Sequence, residues 1–390
     1  MRILIVHNHY QQAGGEDEVF RAEAALLRQH GHSVLTLTEE NGEVRGLHAL
    51  AAARDAVWST RFQRRLTESL RQTRPDVVHF HNTFFRVSPA AYYACRDAGV
   101  TAVQTLHNYR LMCPAATFYR DGRVCEDCVG SAVAFPGIRR GCYRRSRVQT
   151  AVVAGMLTVH RRLGTWQRCV DRYIAMTEFA RAKFIAGGLP AEKIAVKPNF
   201  CPVDPGIGRG AGGYALFVGR LSAEKGIGTL MSAWGRLGRP VPLYIAGDGP
   251  LAASVQEFAG KTDRCHWLGW QSKEAVAELM RNAMFLVVPS ECYETFGLVI
   301  AEAYAAGLPV VGSRLGSIGV AIDDQRTGLH VSPGDPGDLA ATVEWAFSHP
   351  HELAEMRTNA RAEFEAKYTP ERNYQMLMEI YDQARAAAVR

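Results

Sequence analysis

The sequence lacks any apolar run long enough to cross a membrane. The longest candidate, TAVVAGML at residues 150 to 157, falls far short of the roughly 20 apolar residues that a spanning helix needs. The opening stretch MRILIVHNHY holds only four consecutive apolar residues, so it lacks the hydrophobic core of a secretory signal. We therefore expect a cytoplasmic protein whose nine cysteines are reduced rather than joined in disulfides.

Low-complexity tracts are also absent, and the composition is that of an ordinary soluble protein. Of the 390 residues, 47% are hydrophobic and 22% are charged, which excludes a largely disordered chain. A single hydrophobic core rarely serves so many residues, so we expect two domains of roughly 150 to 200 residues each.

Acidic residues are scarce in the first half of the chain. Residues 1 to 200 contain 28 Lys and Arg residues against 17 Asp and Glu residues, whereas residues 201 to 390 contain 17 against 22. The basic half favours an anionic partner, which could be phosphate, nucleic acid or an anionic membrane face.

Short apolar runs alternate with helical patterns along the whole chain. The first half contains RILIVHN, SVLTLT, DVVHFHN, TAVQTLHN, YIAMT and KIAVKPN. After a linker rich in Gly and Pro at residues 201 to 213, the rhythm restarts with YALFVGR, PLYIAGDGP, CHWLGW, MFLVVPS and LPVVGS. This alternation predicts two doubly wound, Rossmann-like α/β domains with buried parallel sheets.

We place the first domain at residues 1 to 200, with a cysteine-rich insert at 108 to 147, and expect the C-terminal helix 370 to 390 to join it. The second domain occupies residues 201 to 369. Ligands of such sheets bind at the carboxyl ends of the strands, so a central cleft between two facing domains is the expected site.

The stretch ECYETFGLVIAEAYAAG at residues 291 to 307 follows the predicted strand MFLVVPS. A helix that begins near Phe296 or Gly297 leaves Glu294 in the loop and Glu302 in the second helical turn. The first turn has free amides and a partial positive charge, and Gly297 has no side chain to keep a phosphate away. With carboxylates on both sides to bind hydroxyls, the segment favours a sugar nucleotide. The competing interpretation is that Glu294 and the threonine after it only cap the helix.

Two basic residues and a glycine turn follow other strands of the second domain. Arg220 comes just after the strand in VGRLSAEKGI and Lys225 begins the next helical pattern, so the pair could hold two adjacent phosphoryl groups. Ordinary solvent-exposed charge is the alternative. Gly249 in AGDGP provides a turn at which the backbone can approach a ligand.

Candidate residues of the first domain also lie after strands. Gly14 and Gly15 in AGGEDE form the first strand-to-helix turn, which is either a phosphate loop or a plain tight turn. His107 follows the strand TAVQTL, where it is either a site residue or a structural histidine.

The insert contains four cysteines within 30 residues: Cys113, Cys125, Cys128 and Cys142. In a reducing compartment this set has the thiolate count of a structural zinc site. Reduced cysteines without metal, an iron–sulfur cluster and a disulfide are the alternatives.

Basic clusters surround an apolar helical segment at residues 139 to 168. The pattern is typical of a helix that lies on an anionic membrane surface, which would place the protein peripherally at the inner face of the membrane. A buried helix with charged ends gives the same pattern.

Taken in order, these motifs resemble those of glycosyltransferase family 4, whose members have the GT-B fold and are usually retaining enzymes that use sugar nucleotides. The resemblance runs from AGGEDE through LHN, KPNF, VGRLSAEKGI and AGDGP to PSECYETFGLVIAEAYAAGLPVVGS. Glu294 and Glu302 match the two glutamates of the family's Glu-x7-Glu motif. The chain departs from the family after PVVGS, where Ser317 and Val320 replace the usual second glycine and glutamate although Gly316 is kept.

The resemblance implies a role for each candidate. It assigns Arg220 and Lys225 to the donor diphosphate and Glu302 to the ribose, with His107 beside the transferred sugar. Candidate catalytic residues are His107, Arg220, Lys225 and Glu294. Candidate donor-binding residues are Gly14, Gly15, Arg220, Lys225, Gly249, Glu294, Phe296, Gly297, Leu298 and Glu302.

The resemblance therefore predicts a retaining transferase that moves a hexose-type sugar from a UDP- or GDP-linked donor to a glycan or lipid-linked hydroxyl acceptor in polysaccharide or glycolipid synthesis. We find no Asp-x-Asp pair of the kind that metal-dependent sugar transferases use, so no catalytic metal is expected. A sugar-nucleotide epimerase on the same fold is the rival enzyme. A nucleic-acid-binding protein built on the four cysteines is the rival from another class, and we do not expect a nucleic-acid partner.

Overall fold

The computed structural model describes residues 1–10, 14–42 and 48–388, the side chains of residues 48–50 and 388 excepted. Ala13, which opens the AGGEDE stretch, and residues 389 and 390 of the predicted C-terminal helix lie outside this range. The chain divides into two units. The first comprises Met1–Phe118, Glu126–Pro198 and Asn373–Arg390, and the second comprises Tyr119–Cys125 and Asn199–Arg372.

The strands of the described residues are β1 (Arg2–His9), β2 (Ser33–Glu40), β3 (Val77–Phe80), β4 (Thr101–Thr105), β5 (Tyr119–Arg120), β6 (Arg123–Val124), β7 (Arg172–Ala175), β8 (Ile194–Val196), β9 (Ala215–Val218), β10 (Leu243–Ala246), β11 (Cys265–Gly269), β12 (Phe285–Val288), β13 (Val310–Ser313) and β14 (Gly328–Val331).

The α-helices of the same range are α1 (Gly15–Gln29), α2 (His48–Val57), α3 (Thr60–Thr73), α4 (Ala90–Asp97), α5 (Phe135–Arg140), α6 (Arg147–Arg162), α7 (Thr165–Arg168), α8 (Glu178–Ala186), α9 (Ile227–Trp234), α10 (Ala252–Ala259), α11 (Lys273–Asn282), α12 (Leu298–Ala305), α13 (Gly316–Ala321), α14 (Pro336–Ser348), α15 (Pro350–Lys367) and α16 (Pro370–Ala388). None of them combines the length and the hydropathy that a membrane-spanning segment requires.

In the first unit, six parallel strands form one sheet in the order β2-β1-β3-β4-β7-β8. Ile5 and Val77 of its central strands are fully buried, as expected of strands that helices cover on both faces. Leu27 of α1 and Tyr381 of α16 pack in the same core. The carboxyl ends of β1, β3 and β4 lie side by side at one edge, because these strands are neighbours.

In the second unit, six further strands form a sheet in the order β11-β10-β9-β12-β13-β14, again all parallel. Its core joins buried strand residues such as Phe285 to Trp234 of α9, Leu339 of α14 and Leu353 of α15. The strand order reverses at β9, so the loops that follow β9, β10 and β12 gather at one edge of the sheet. Two parallel α/β sheets confirm the predicted fold class.

Local sequence signals explain where several helices begin. Helix α1 starts after Gly14 and has three acidic residues in its first turn, which the partial positive charge of a helix N-terminus favours. The Ser146 hydroxyl accepts a hydrogen bond from the Gln149 amide at the start of α6, at 3.2 Å. Residues 201–213, the predicted linker, contain no helix or strand.

Candidate active site

The loop between β12 and α12 carries Glu294, which forms an ion pair with Lys225. The Ser290 hydroxyl donates a second hydrogen bond to the same carboxylate oxygen at 3.0 Å. Burial opposes the charge of Glu294, but the cation of Lys225 outweighs it and holds the pKa of Glu294 below its ordinary value. Burial likewise opposes the charge of Lys225, and Glu294 nonetheless raises the pKa of Lys225. Both side chains are therefore charged at neutral pH.

Helix α12 begins directly after this loop. Its N-cap residue is Gly297, which has a φ of +90°, so neither Glu294 nor Thr295 occupies the capping position that the alternative interpretation gave them. A Cβ atom at residue 297 would lie 2.9 Å from Ile318 Cδ1, which together with the left-handed backbone makes glycine the residue that fits. The Ile300 amide donates to the Gly297 carbonyl at 2.9 Å. The first amides of an α-helix lack an acceptor in a preceding turn, so this helix start can bind an anion.

The neighbours of Gly297 have different environments. Phe296 is buried and makes an edge-to-face contact with Tyr368, with ring centroids 5.8 Å apart. Leu298 is the first residue of α12, and Glu302 lies one turn further along it, partly exposed. Of the predicted donor-binding residues in this segment, Phe296 is therefore buried, Leu298 begins the helix, and Glu302 has a carboxylate that solvent can reach.

The loops after β9 and β10 lie against each other. Arg220 is exposed two residues after β9. The Leu221 amide donates to the Asp248 carbonyl at 2.9 Å, and the Leu251 amide donates to the Leu221 carbonyl at 2.9 Å. These bonds bring the turn that contains Gly249 next to the residue after Arg220.

A further acidic residue of this unit, Glu291, was missed in the sequence. Its carboxylate accepts hydrogen bonds from the Thr229 hydroxyl at 2.6 Å and from the Tyr119 hydroxyl at 3.4 Å. Its amide donates to the Glu224 carbonyl at 2.9 Å, so the segment with Lys225 and the segment with Glu294 are tied by backbone as well as by charge. No motif marks Glu291, which could have been noticed only as a carboxylate close to the first glutamate of the matched pair.

In the first unit, His107 lies just after β4 and faces His81, which follows β3. The distance between His81 Nδ1 and His107 Nε2 is 3.0 Å. Burial and the neighbouring His79 ring lower the pKa of His81 to about 4. Burial and His81 lower the pKa of His107 well below its ordinary value. Both imidazoles are therefore neutral at pH 7.

A buried carboxylate, Glu23 of α1, lies behind these rings. Its Oε2 atom is 3.0 Å from Lys197 Nζ, and its Oε1 atom is 3.1 Å from His79 Nδ1 and 3.3 Å from His81 Nε2. Burial opposes the charge on Glu23, but Lys197 and His79 outweigh it and hold the pKa of Glu23 well below its ordinary value. The Lys197–Glu23 pair and the imidazoles of His79 and His81 thus lie together at the carboxyl edge of this sheet.

The glycine turn after β1 is tied to the same edge by Asp17. Gly14 is the N-cap of α1 and Gly15 is its first residue. Asp17 accepts a hydrogen bond from the Gly14 amide at 3.0 Å, and its Oδ1 atom lies 2.9 Å from His7 Nε2 and 2.6 Å from His9 Nδ1. The turn is therefore fixed by a carboxylate that the sequence did not single out.

Two groups of three side chains within the described range have ligand atoms close enough for a metal ion: His7, His9 and Asp17, and Glu23, His79 and His81. In the second group the ammonium of Lys197 already neutralises the carboxylate, and it would repel a divalent cation. The first group has two nitrogen donors and one oxygen donor, a set that suits zinc or another transition metal.

The predicted zinc ligands were Cys113, Cys125, Cys128 and Cys142. Neither group of closely spaced ligand atoms in the described part of the chain contains a cysteine, so the structure does not support the zinc prediction. Cys128 instead packs against Ala134 and Ala154 in a small apolar cluster. The sequence shows that four thiols are available, but their spacing does not show whether the four side chains lie close together.

A pocket opens in the first unit beside the imidazole pair. Its lining comprises His81, Asn82, Thr83, Phe84, Pro89, Gln104, Thr105, Leu106, His107, Asn108, Arg110, Leu111 and Met156. The predicted His107 therefore shares a concave surface with His81, which sequence reasoning missed. A signal was present, because β1, β3 and β4 are each followed or ended by the same His-Asn pair.

Models of two protein families match the chain. The model described as "Glycosyltransferase Family 4" matches residues 13–204, and the model described as "Glycosyl transferases group 1" matches residues 212–349. Together they cover most of both units.

Curated proteins with related sequences include sugar transferases. The chain is 32% identical over 224 residues to D-inositol 3-phosphate glycosyltransferase of Gordonia bronchialis, which covers 50% of this chain and 48% of the relative. It is 32% identical over 160 residues to alpha-D-kanosaminyltransferase of Streptomyces kanamyceticus, which covers 40% of this chain and 41% of the relative. The chain thus spans at most about half the length of these relatives.

Solved structures resemble the whole chain. HepE of Anabaena, in complex with UDP, has a TM-score of 0.70 at 17% identity, and the match covers 97% of this chain and 99% of HepE. Sucrose-phosphate synthase of Thermosynechococcus elongatus has a TM-score of 0.73 at 18% identity, covering 99% of this chain and 100% of that structure. The likeness establishes the two-domain GT-B fold.

Proposed function

Because the chain belongs to glycosyltransferase family 4, we propose that it transfers a sugar from a nucleoside-diphosphate donor to a hydroxyl group of a glycan or lipid-linked acceptor. The observation that carries the proposal is the Lys225–Glu294 pair at the start of α12. It places a cation, a carboxylate and the amides of a helix N-terminus together at the carboxyl edge of the second sheet. A diphosphate needs the cation and the amides, and a sugar needs the carboxylate.

The same edge offers further contacts to such a donor. Arg220 is exposed after β9 and can turn its planar guanidinium towards a phosphoryl group. Glu302 is positioned one turn into α12, where its carboxylate can accept hydrogen bonds from ribose hydroxyls. HepE was solved with UDP, which supports UDP-linked sugars as the first donors to test and GDP-linked sugars as the second.

The proposed reaction needs charge stabilisation more than a protein nucleophile. The bond between the anomeric carbon and the diphosphate oxygen breaks as the acceptor oxygen forms its bond to the same carbon. In the retaining course, attack comes from the side of the leaving group, and a diphosphate oxygen receives the acceptor proton. Arg220, Lys225 and the amides at Gly297 would stabilise the negative charge that develops on the leaving group.

Product analysis tests this proposal. The chain is incubated with UDP-glucose or GDP-mannose, with and without octyl glucoside as a hydroxyl acceptor, and the sugars are followed by NMR. We expect slow hydrolysis of the donor alone and transfer with the anomeric configuration kept when the acceptor is present. A change in the donor sugar without release of nucleoside diphosphate would identify an epimerase and contradict the proposal.

We further propose that α5 and α6 contact an anionic membrane surface, as a lipid-linked acceptor would require. Phe135 is 65% exposed and Val148 is 76% exposed, whereas Val153 and Leu157 on the opposite face of α6 are buried. Residues 129 to 170 contain eight arginines and no acidic residue. Exposed apolar side chains among arginines match a surface of acyl chains and anionic headgroups.

Vesicle sedimentation tests the contact. The chain should bind phosphatidylglycerol vesicles more tightly than phosphatidylcholine vesicles, and the double change Phe135→Asp with Val148→Asp should abolish binding. Trp270→Asp is the matched control, because Trp270 is an equally exposed apolar residue at 76% in the second unit. Equal binding of both lipids, or loss of binding in the Trp270 variant alone, would contradict the contact.

A further inference from the structure

Three buried side chains and the partly buried His107 form a line from the core of the first unit to its pocket. Lys197, Glu23, His81 and His107 follow one another at distances of 3.0, 3.3 and 3.0 Å. Lys197 and Glu23 are each 1% exposed at the side chain, and the His81 side chain is fully buried. His107 lines the pocket.

Only one arrangement of protons satisfies the contact between Lys197 and Glu23, which form the buried end of the line. Lys197 has hydrogen-bond donors and no acceptor, and its ammonium also donates to Asn373 Oδ1 at 3.1 Å. Glu23 Oε2 must therefore act as the acceptor for Lys197. Glu23 is then an ionised carboxylate that presents its other oxygen to the imidazoles.

This carboxylate decides which nitrogen of His81 carries the proton. Oε1 of Glu23 lies 3.3 Å from His81 Nε2, so a proton on that nitrogen is stabilised and a lone pair there would face a negative charge. A neutral His81 with its proton on Nε2 has an acceptor at Nδ1. His107 Nε2 lies 3.0 Å from that acceptor and must supply the proton between them.

We propose that Glu23 and His81 are positioning residues that hold His107 as the neutral tautomer with its proton on Nε2. The Nδ1 atom of His107 is then a hydrogen-bond acceptor. Under the proposed function, on which this consequence rests, the Nδ1 atom of His107 cannot then donate a hydrogen bond to the diphosphate.

The buried surroundings favour neutral rings over charged ones. His81 is flanked by His79, with ring centroids 4.5 Å apart, and by His7, with centroids 6.3 Å apart. If one of these imidazoles became protonated, its positive charge would disfavour protonation of the neighbouring imidazoles. Glu23 is the counter-charge of Lys197, so it does not compensate an imidazolium in addition.

Nitrogen NMR reads the tautomer directly and does not depend on any activity. The chain is labelled with ¹⁵N in histidine, and the His107 signals are assigned as those lost in His107→Gln. Protonated and unprotonated imidazole nitrogens have well-separated ¹⁵N shifts. At pH 7 we expect His107 to show a protonated Nε2 and an unprotonated Nδ1, and the reverse assignment would overturn the proposal.

Glu23→Gln sharpens the test because the carboxamide has one donor side and one acceptor side. Lys197 retains the oxygen, so the NH₂ group faces the imidazoles and His81 must accept at Nε2. We expect both His81 and His107 to switch their protons to Nδ1. Glu18→Gln is the matched control on the exposed side of the same helix, and His107 should keep its wild-type signals there.

Each outcome bears on the proposal. If Glu23→Gln folds and His107 keeps its proton on Nε2, this line of contacts does not set the tautomer and the proposal is wrong. If that variant does not fold, the wild-type spectrum alone decides. An absence of sugar transfer with the expected tautomer present would refute the proposed function and leave the positioning role intact.

Discussion

Two lysine–glutamate pairs show how differently the two units use the same fold. Lys197 and Glu23 in the first unit are each 1% exposed, whereas Lys225 and Glu294 in the second are 31% and 16% exposed. The first pair is sealed in the core, where it orders a set of imidazoles. The second remains within reach of solvent, so a ligand can compete for its charges. Burial thus distinguishes the first ion pair from the second, for which we propose a role in ligand binding.

The histidines follow the same division. Of thirteen in the chain, nine fall in the segments of the first unit, and His7, His79, His81 and His160 are buried there. The second unit uses glycine turns at the corresponding strand ends. Histidines therefore occupy the strand ends of the first unit, while glycine turns and a partly exposed ion pair occupy those of the second.

Breaking the buried pair should have the largest effect. Lys197→Ala leaves Glu23 buried without its cation, and such a loss costs about 3 to 5 kcal/mol of stability. Urea unfolding of the variant should show this loss, and Lys261→Ala, which removes an exposed lysine, should change stability little. If Lys197→Ala lost no more stability than Lys261→Ala, the distinction drawn between the two ion pairs would be wrong.

Breaking the exposed pair should affect turnover more than folding. Lys225→Ala removes a cation from the proposed diphosphate site, and we expect kcat/KM to fall on the order of 100-fold to 1,000-fold. The midpoint of urea unfolding should fall less than in Lys197→Ala, because Lys225 and Glu294 are 31% and 16% exposed and solvent reaches the charge left behind. Lys261→Ala again serves as the control, and wild-type turnover in Lys225→Ala would contradict the proposed role.

Two neighbouring glycines test how tightly the second unit closes around Lys225. Gly226 has a φ of +72°, and a Cβ atom there would lie 2.0 Å from the Pro289 carbonyl oxygen, whereas a Cβ at Gly228 meets nothing within 4 Å. Gly226→Ala should cost about 1 to 3 kcal/mol. Gly228→Ala should stabilise α9 by up to about 1 kcal/mol. Thermal unfolding distinguishes them, and equal melting temperatures would refute the close approach.

Acid should destabilise the first unit more than the second. The folded state keeps His81 neutral down to about pH 4, whereas the unfolded chain protonates histidine near pH 6.5. The unfolded state therefore binds more protons in this window, and stability falls as the pH falls, by about 1 kcal/mol for each such histidine between pH 7 and 5.5. His7, His32, His107 and His160 have pKa values shifted in the same direction.

One carboxyl group opposes this trend. Burial raises the pKa of Glu16 to about 8, so the folded state binds that proton more tightly and gains stability as the pH falls from 8 towards 4.5. The five histidines together should outweigh this one carboxyl, and Glu16→Gln should make stability fall more steeply with falling pH. Hydrogen exchange, corrected for intrinsic rates, should show protection falling at β3 and holding at β12. Parallel loss in both strands would contradict the comparison.

The sequence predicted the fold because apolar runs and helical patterns recur in both halves. It also indicated the strand-end positions of Arg220, Lys225 and Glu294, since each follows a run such as YALFVGR or MFLVVPS. These positions depend on local order along the chain. They need no knowledge of which strands are neighbours.

The histidine network could not be obtained in the same way. His81 and His107 meet because β3 and β4 are adjacent, and Glu23 reaches them from α1, which precedes both by more than 50 residues. In the sequence, His107 is either a site residue or a structural histidine, and nothing singles out His81. The repeated His-Asn pair was the one signal that linked the three strand ends.

The cysteine insert is a case in which spacing in the sequence did not locate a site. Four thiols within 30 residues suggested a metal site, yet Cys128 is buried against alanines. Spacing limits how far apart side chains can lie but does not direct them to a common point. An apolar environment gives a small thiol another place to pack.

A crystal structure of the chain with bound UDP-glucose tests the central claim most directly. The diphosphate should lie within hydrogen-bonding distance of Arg220, Lys225 and an amide at the start of α12, with the ribose hydroxyls on Glu302. A nucleotide bound elsewhere, with the Lys225–Glu294 pair undisturbed, would contradict the claim.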